Sequence, residues 1–289
     1  MLGVRLSNRA TGLLLVSPPL LYAVALLAVP LAAIVMFSFW TQDYLTLVTE
    51  PTLTNYRTAW AEPLYTELLV RSLWIAAAAT AVTVALAFPI AYFVSFYVRP
   101  ERKSLWLFLI TSPFWTSYLI RVFLWKVILG FNGVLNSSLM GLGFIEEPLT
   151  FILYNANAVV ITLAHAFAPF AILPIFVALE RIDRSLIEVG RDLGETRLMT
   201  FWRVTLPLAM PGVVAAVLIV FIPTIGDYVT PRLVGGPEGS MIANMIQVQF
   251  LRLNNAPMGA ALAVIAMVSV SALALLFVWL NRKFLRVKQ

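Results

Sequence analysis

The sequence predicts an all-α polytopic membrane protein with six transmembrane helices. Of its 289 residues, 61% are hydrophobic and only 12% are charged. The mean hydropathy is +0.90, outside the range of water-soluble domains. Several apolar runs also exceed the roughly 18 residues that mark a membrane helix. The chain, 1–289, reads as a single transmembrane domain with a first helix near 13–39 and a core near 70–280.

The first run follows Arg5 and Arg9, as a secretory signal would. At 11–40 it is far longer than the ~7–15 apolar residues of a cleaved signal, so it reads as a retained helix, with Pro18, Pro19 and Pro30 as starts or kinks. A loop over 41–71 carries Asp43, Glu50, Glu62 and Glu67. The second span, 70–98, is separated by the basic link 99–104 from a third, read as one crossing over 105–129. After a turn-rich link at 130–148 comes the fourth, 152–179, and then a polar stretch over 180–207. The fifth span, 208–226, only just covers a ~30 Å hydrocarbon core at ~1.5 Å per residue. A loop over 227–257 leads to the sixth, 259–280, and to a basic tail.

Charge orients these spans. The N-terminus, the 99–104 and 180–207 links and the tail together hold 14 Lys and Arg against six acids. The opposite side and the spans hold the other six basic and eight acidic residues. Excess Lys and Arg marks the cytoplasmic face, which puts both termini and the 180–207 loop there. The same bias, with attraction to anionic membrane lipid, accounts for the net charge of +6 and leaves no nucleic acid partner to invoke.

Within the polar loop, 181–192 has Ile182, Leu186 and Val189 on one helical face, with Glu188 on the polar side. Gly194 suits the positive φ that ends such a helix. A further turn over 195–202 comes next, and Leu206-Pro207 opens the fifth span, where a missing N–H costs little. Glu188, Val189, Gly190, then Arg191, Asp192 and Leu193, then Gly194, nine residues, and Val204-x-Leu206-Pro207 form a spaced pattern. It resembles the signature loop of the membrane subunits of bacterial ABC importers: E-A-A, three residues, G, nine residues, I-x-L-P. Val189 and Gly190 stand for the alanines and Val204 for the isoleucine. The resemblance implies that 181–207 forms coupling helices docking on a cytoplasmic ATPase.

Further stretches resemble the spermidine/putrescine permeases of that family: Pro113-Phe114-Trp115-Thr116, Leu119-Ile120-Arg121, 221–231 with 233–236, and Asn244-x-Ile246. Arg232 departs from the group, where an acidic residue is common. The resemblance implies a type I ABC importer-like permease core in the bacterial cytoplasmic (inner) membrane, moving polyamine or a similar small organic solute by alternating access. It also implies two cytoplasmic ATPase subunits, a second permease forming a heterodimer, and an extracytoplasmic solute-binding protein, to which the acidic loop 41–71 is a candidate docking surface. ATP and Mg would bind the partner ATPase. This chain would bind no cofactor and catalyse nothing. Opine-like amino conjugates, thiamine or ferric ion are alternative substrates.

Ionisable residues at membrane depth are functional candidates. Asp227 and Tyr228 after the fifth span, Arg121 and Trp115 in the third, and Arg232 are candidates for a substrate pathway or gate, with an Arg121–Asp227 ion pair as one form of gate. Trp115, Tyr118, Phe123 and Trp125 read as interfacial or packing aromatics before a cation cage. The Gly235-Gly236-Pro237 stretch precedes no P-loop lysine. With no Cys and a single His, His165, there is no disulfide, thiolate site or His cluster, and His165 reads as a packing residue. An ion-coupled secondary transporter would show more buried acids or inverted repeats, and an intramembrane enzyme a convergent nucleophile and base.

Overall fold

The structure is a computed structural model that describes residues 8–44 and 46–285. Arg5, Arg286 and Lys288, all among the charges assigned to the cytoplasmic side, lie outside the described residues. The first helix, α1 (Asn8–Ser38), carries its three prolines without interruption. Its end is tied down by Asn55, whose Nδ2 donates to the Ser38 and Trp40 carbonyls at 3.2 and 2.6 Å. Between them lies a two-stranded hairpin, β1 (Thr41–Asp43) and β2 (Thr46–Val48), with Thr41 opposite Val48. Asn55 belongs to a short helix, α2 (Thr54–Ala61).

The second span, α3 (Pro63–Phe96), is 34 residues long, starting earlier than the sequence suggests because Pro63 at its first turn needs no N–H partner. It packs along α7 (Ala156–Glu180), the fourth span, started by Asn155, whose side chain accepts from Ala158 N at 3.1 Å. α3 presents small residues at this contact: Ala79, Ala87 and Ala91 are fully buried. Helices in lipid associate through such close backbone approach. The fifth span, α10 (Leu206–Ile225), closes the core against α7. At Gly212 an added Cβ would lie 2.5 Å from the Pro174 carbonyl oxygen and from Ala178 Cβ.

The third span is the main departure from expectation. In place of one crossing over 105–129, α4 (Pro100–Thr111) and α5 (Tyr118–Ile128) are bent by 88°. The break is a 3₁₀ turn, Ser112–Trp115, leading into extended backbone at Thr116. Pro113 has no N–H for the Leu109 carbonyl, and the Ser112 hydroxyl donates to that carbonyl instead, at 2.9 Å. Among the described residues, five helices are long and apolar enough to cross a membrane, and the bent pair, counted as one span, gives six.

The links are short helices: α6 (Val134–Gly141) before α7, α8 (Arg184–Asp192) and α9 (Arg197–Thr200) after it, and α11 (Ile242–Leu251) before the last span α12 (Ala256–Leu280). The chain's described part ends in α13 (Arg282–Leu285). Asn255 caps α12 through Met258 N at 3.1 Å.

Replacing Gly212 with valine would push α10 off α7. We expect a loss of ~1–3 kcal/mol, read as a lower unfolding temperature in detergent, while Gly12→Ala, with nothing within 4 Å of the added Cβ, does not lower it.

Candidate functional site

The loop between α7 and α10 is a rigid helical hairpin. Asp183 caps α8 by accepting from Ser185 N at 3.0 Å, and that bond holds its carboxyl below the usual carboxylate range. α8 stops at Gly194, whose φ is +85°. Gly194 N bonds the Arg191 carbonyl at 2.9 Å and Glu195 N the Gly190 carbonyl at 3.1 Å. This paired arrangement is the one by which a glycine closes a helix C-terminus. Gly190 is buried on α9, and a Cβ there would meet Thr200 Cγ2 at 3.3 Å. The Arg203–Glu195 ion pair, at 3.0 Å, pins the second arm.

That second arm differs from expectation. Thr196 caps α9 through Met199 N at 3.3 Å, and the helix does not pause at Leu206-Pro207. It runs continuously over Arg197–Ile225, through a π-helical turn at Phe201–Thr205. Pro207 lacks the N–H for a regular turn and crowds the preceding one, and the wider turn accommodates it. Leu206 and Pro207 are half-buried inside this helix.

Ile182 is buried in the core formed by α3, α7 and α10, with Ile187 packed against it. Glu188, Arg191 and Asp192 are exposed. So are Leu186, Val189, Leu193, Leu198, Met199 and Trp202, with Leu193 79% exposed. A network that sequence spacing does not reveal ties the hairpin to the bundle. Glu180 Oε1 accepts from Ser95 Oγ and Lys103 Nζ, both at 2.6 Å. Arg184 Nη2 donates to the Ser95 carbonyl at 2.8 Å and lies over the Phe96 ring. The ends of α3 and α7, the start of α4 and the hairpin thus meet at one node. Only the short i to i+4 or cap patterns of its members are visible in sequence; their convergence is tertiary.

At the far end of α10, Asp227 Oδ1 accepts from the Val229 and Thr230 backbone at 2.9 and 3.3 Å. Its Oδ2 accepts from Tyr118 Oη at 2.5 Å, and Tyr118 Oη also contacts Thr230 Oγ1 at 2.7 Å. Both oxygens are therefore engaged. Tyr118, the first residue of α5, stands where the sequence suggested Arg121. Among the described residues no ion pair joins Arg121 to Asp227. Arg121 is only 9% exposed, its Nε and Nη1 have no hydrogen-bond partner, and its guanidinium lies 5.0 Å from the Phe114 ring centroid. His165 Nδ1 accepts from Trp125 Nε1 at 3.0 Å. Trp115 packs on Phe108 and is otherwise exposed. Tyr228 and Arg232 are exposed beside cavities flanking α11.

A family model for binding-protein-dependent transport system inner membrane components matches residues 19–286. The chain is 38% identical over 260 residues to the spermidine/putrescine transport system permease protein PotB of Escherichia coli, covering 90% of this chain and 93% of that one. It is 34% identical over 254 residues to the inner membrane ABC transporter permease protein YdcU of the same organism, covering 83% and 80%. Among solved structures, a bacterial alginate importer matches with a TM-score of 0.67 at 15% identity, covering 94% of each chain. The MetNI methionine ABC transporter in inward-facing form matches with a TM-score of 0.54 at 22% identity, covering 78% of this chain and 99% of that one.

Tyr118→Phe removes both hydroxyl contacts and leaves a part-buried carboxylate oxygen unsatisfied. We expect a loss of ~1–3 kcal/mol by thermal unfolding. Asp227→Asn in the Tyr118→Phe background should cost less than Asp227→Asn alone, because the two changes share one bond.

Proposed function

The chain belongs to the family of binding-protein-dependent transport system inner membrane components, and from that premise we propose how it works as the permease subunit of an ATP-driven importer. It is a multi-pass inner membrane protein of the transport permease class. In our reading the whole chain is one permease unit with both termini in the cytoplasm. It hydrolyses nothing itself: ATP and Mg belong to two cytoplasmic ATPase subunits. A second, distinct permease subunit completes the pathway, and a solute-binding protein delivers the solute from outside.

One observation carries the coupling role. The hairpin of α8 and α9 is stiff, joined directly to two spans, and exposes six large apolar side chains. Apolar surface beyond the hydrocarbon region marks a protein contact, and the groove of an ATPase is the contact we assign to it. Glu188, Val189, Arg191 and Asp192 are its exposed members, while Gly190, Gly194, Leu206 and Pro207 shape it. When the two ATPases close on ATP, the hairpins approach and the spans open outward; hydrolysis restores the inward-facing packing. Such a cycle needs only two packings biased by ligands.

The solute we propose is a small organic amine of the spermidine and putrescine class, supported by relatives named for that transport. Asp227, Tyr228, Arg121, Trp115 and Arg232 are assigned to the outer half of the pathway or its gate. Because Tyr118 and backbone N–H groups occupy the Asp227 carboxylate, Asp227 serves in the gate and not as a standing ligand for the amine.

Leu186→Asp with Val189→Asp places two charges on the docking face without touching the core. We expect solute-stimulated ATP hydrolysis by the reconstituted complex to fall at least about tenfold, with the permease's own unfolding temperature unchanged. Full stimulation in this variant would remove the hairpin from the coupling role.

A further inference from the structure

We propose that the bond between Tyr118 and Asp227 is an outer latch which the solute's own ammonium group opens, by taking the place of the Tyr118 hydroxyl on the Asp227 carboxylate. The inference rests on the importer function with an amine solute and gives that amine a site.

Asp227 carries more charge than its structural duties need. Its Oδ1 caps the turn after α10 by accepting from Val229 N and Thr230 N at 2.9 and 3.3 Å. An asparagine oxygen performs that task as well as an aspartate. Its Oδ2 accepts from the Tyr118 hydroxyl at 2.5 Å, and a phenol bonds a neutral acceptor too. Among the described residues the acids in ion pairs are Glu67, Glu180 and Glu195, so Asp227 is held by neutral donors alone. A half-buried carboxylate at the end of a span is costly without a cation. An ammonium in place of the phenol adds the attraction of opposite charges to the hydrogen bond.

The place to be taken is already shaped. The Tyr118 oxygen lies 2.5 Å from Asp227 Oδ2 and 2.7 Å from Thr230 Oγ1. An ammonium nitrogen at that point donates to both. Thr230 is fully buried and forms a fixed wall. Asp227 and Tyr118 are half-buried, while their neighbours Gly226, Tyr228, Ser117 and Leu119 are exposed. A cation therefore reaches the contact from the exposed side.

Opening follows from where the bond sits. Tyr118 starts α5, two residues past the extended backbone at Thr116. Its hydroxyl ties the half-span to partners 109 and 112 positions away. Losing those contacts frees α5 at its bend. Arg121, one turn along α5, has its guanidinium carbon 5.8 Å from the Tyr118 ring centroid. That buried cation opposes a lasting stay of the ammonium, so the solute is passed on and not retained, as a pathway needs.

Putrescine and 1,4-butanediol share a four-carbon chain and differ in charge. Binding of each labelled probe is measured on the importer complex in lipid nanodiscs without its binding protein. We expect Tyr118→Phe, which vacates Asp227 Oδ2, to bind putrescine about tenfold more tightly than the wild type. Asp227→Asn keeps the cap and removes the charge, and in that background the gain from Tyr118→Phe disappears. Butanediol gains nothing from Tyr118→Phe. Unchanged or weaker putrescine binding in Tyr118→Phe, a gain that survives Asp227→Asn, or an equal gain for butanediol overturns the latch. A second measurement keeps Tyr118 and Asp227 in place. The chain has no cysteine, so Leu119→Cys and Ile222→Cys, both at exposed positions, take spin labels on α5 and α10. Saturating putrescine is expected to lengthen the distance between the labels, and butanediol to leave it. A distance that putrescine leaves unchanged overturns the latch even where Tyr118→Phe does not fold. The ATPase is scored in the same samples: a complex that keeps it without the putrescine effects rejects the latch alone, whereas failure to keep it rejects the importer function beneath.

Discussion

Everything at the hairpin end depends on the contact that Gly212 permits. Without a side chain there, the backbone of α10 lies against Pro174 and Ala178 of α7, where a Cβ would be 2.5 Å from either. These are the two spans that flank the hairpin. α7 ends in Glu180, and the helix that becomes α10 starts at Arg197. Because the spans are held together along their length, the hairpin between them has little freedom of its own. Lys103 and Ser95, both 2.6 Å from Glu180, extend the same body to α4 and α3. At its far end α10 stops at Ile225, two residues before the aspartate that Tyr118 holds. One set of packed helices therefore joins the apolar face of the hairpin to the hinge of the third span.

A bilayer allows few unsatisfied backbone groups, and the prolines of this chain show how that limit is met. Ser112 supplies the hydroxyl for the carbonyl that Pro113 leaves free, and α4 then turns by 88° into α5. Pro207 is met differently, by a wider turn over Phe201–Thr205 that keeps the helix continuous. The same residue type thus bends one span and spares another. The two cases diverge in the residues after the proline. Past Pro113 the backbone becomes extended at Thr116, whereas past Pro207 an unbroken apolar run leads to the Gly212 contact.

Hydropathy made the spans legible in sequence because burial in lipid depends on composition, which reads linearly. α8 and its glycine stop were legible for a similar reason: Ile182, Leu186, Val189 and the positive φ of Gly194 are local properties. The bend at Thr116 was hidden inside a run apolar enough to pass for one helix. The continuous helix through Leu206-Pro207 was hidden because a proline usually starts a helix and only a π-helical turn lets one continue. Of the far-end residues, Asp227 was visible as a charge in an apolar setting. Its partner was not, since Tyr118 lies 109 positions away and a tyrosine among apolar residues gives no signal. The node at Glu180 escaped for the same reason, spanning 85 positions to Ser95.

Arg121 marks where the fold is least well stabilised. Two of its nitrogens are buried without a hydrogen bond, a cost of several kcal/mol for a cation at membrane depth. The faces of Phe114 and Tyr118, 5.0 and 5.8 Å from the guanidinium carbon, offset part of that cost, about 2 kcal/mol or more for a desolvated contact. Among the described residues, α3 and α7 each leave one buried hydroxyl without a partner, Thr80 and Thr162, a smaller cost than a buried cation. The larger deficit is local to α5, the half-span that begins at the bend and whose first residue holds Asp227. An element that is least favourably solvated, joined by a bend and latched by one tyrosine is the one that moves at least cost. On the proposed function, the rigid part of the molecule sits around the hairpin and the adaptable part around Asp227, the arrangement a lever needs if force applied at one end is to open the other.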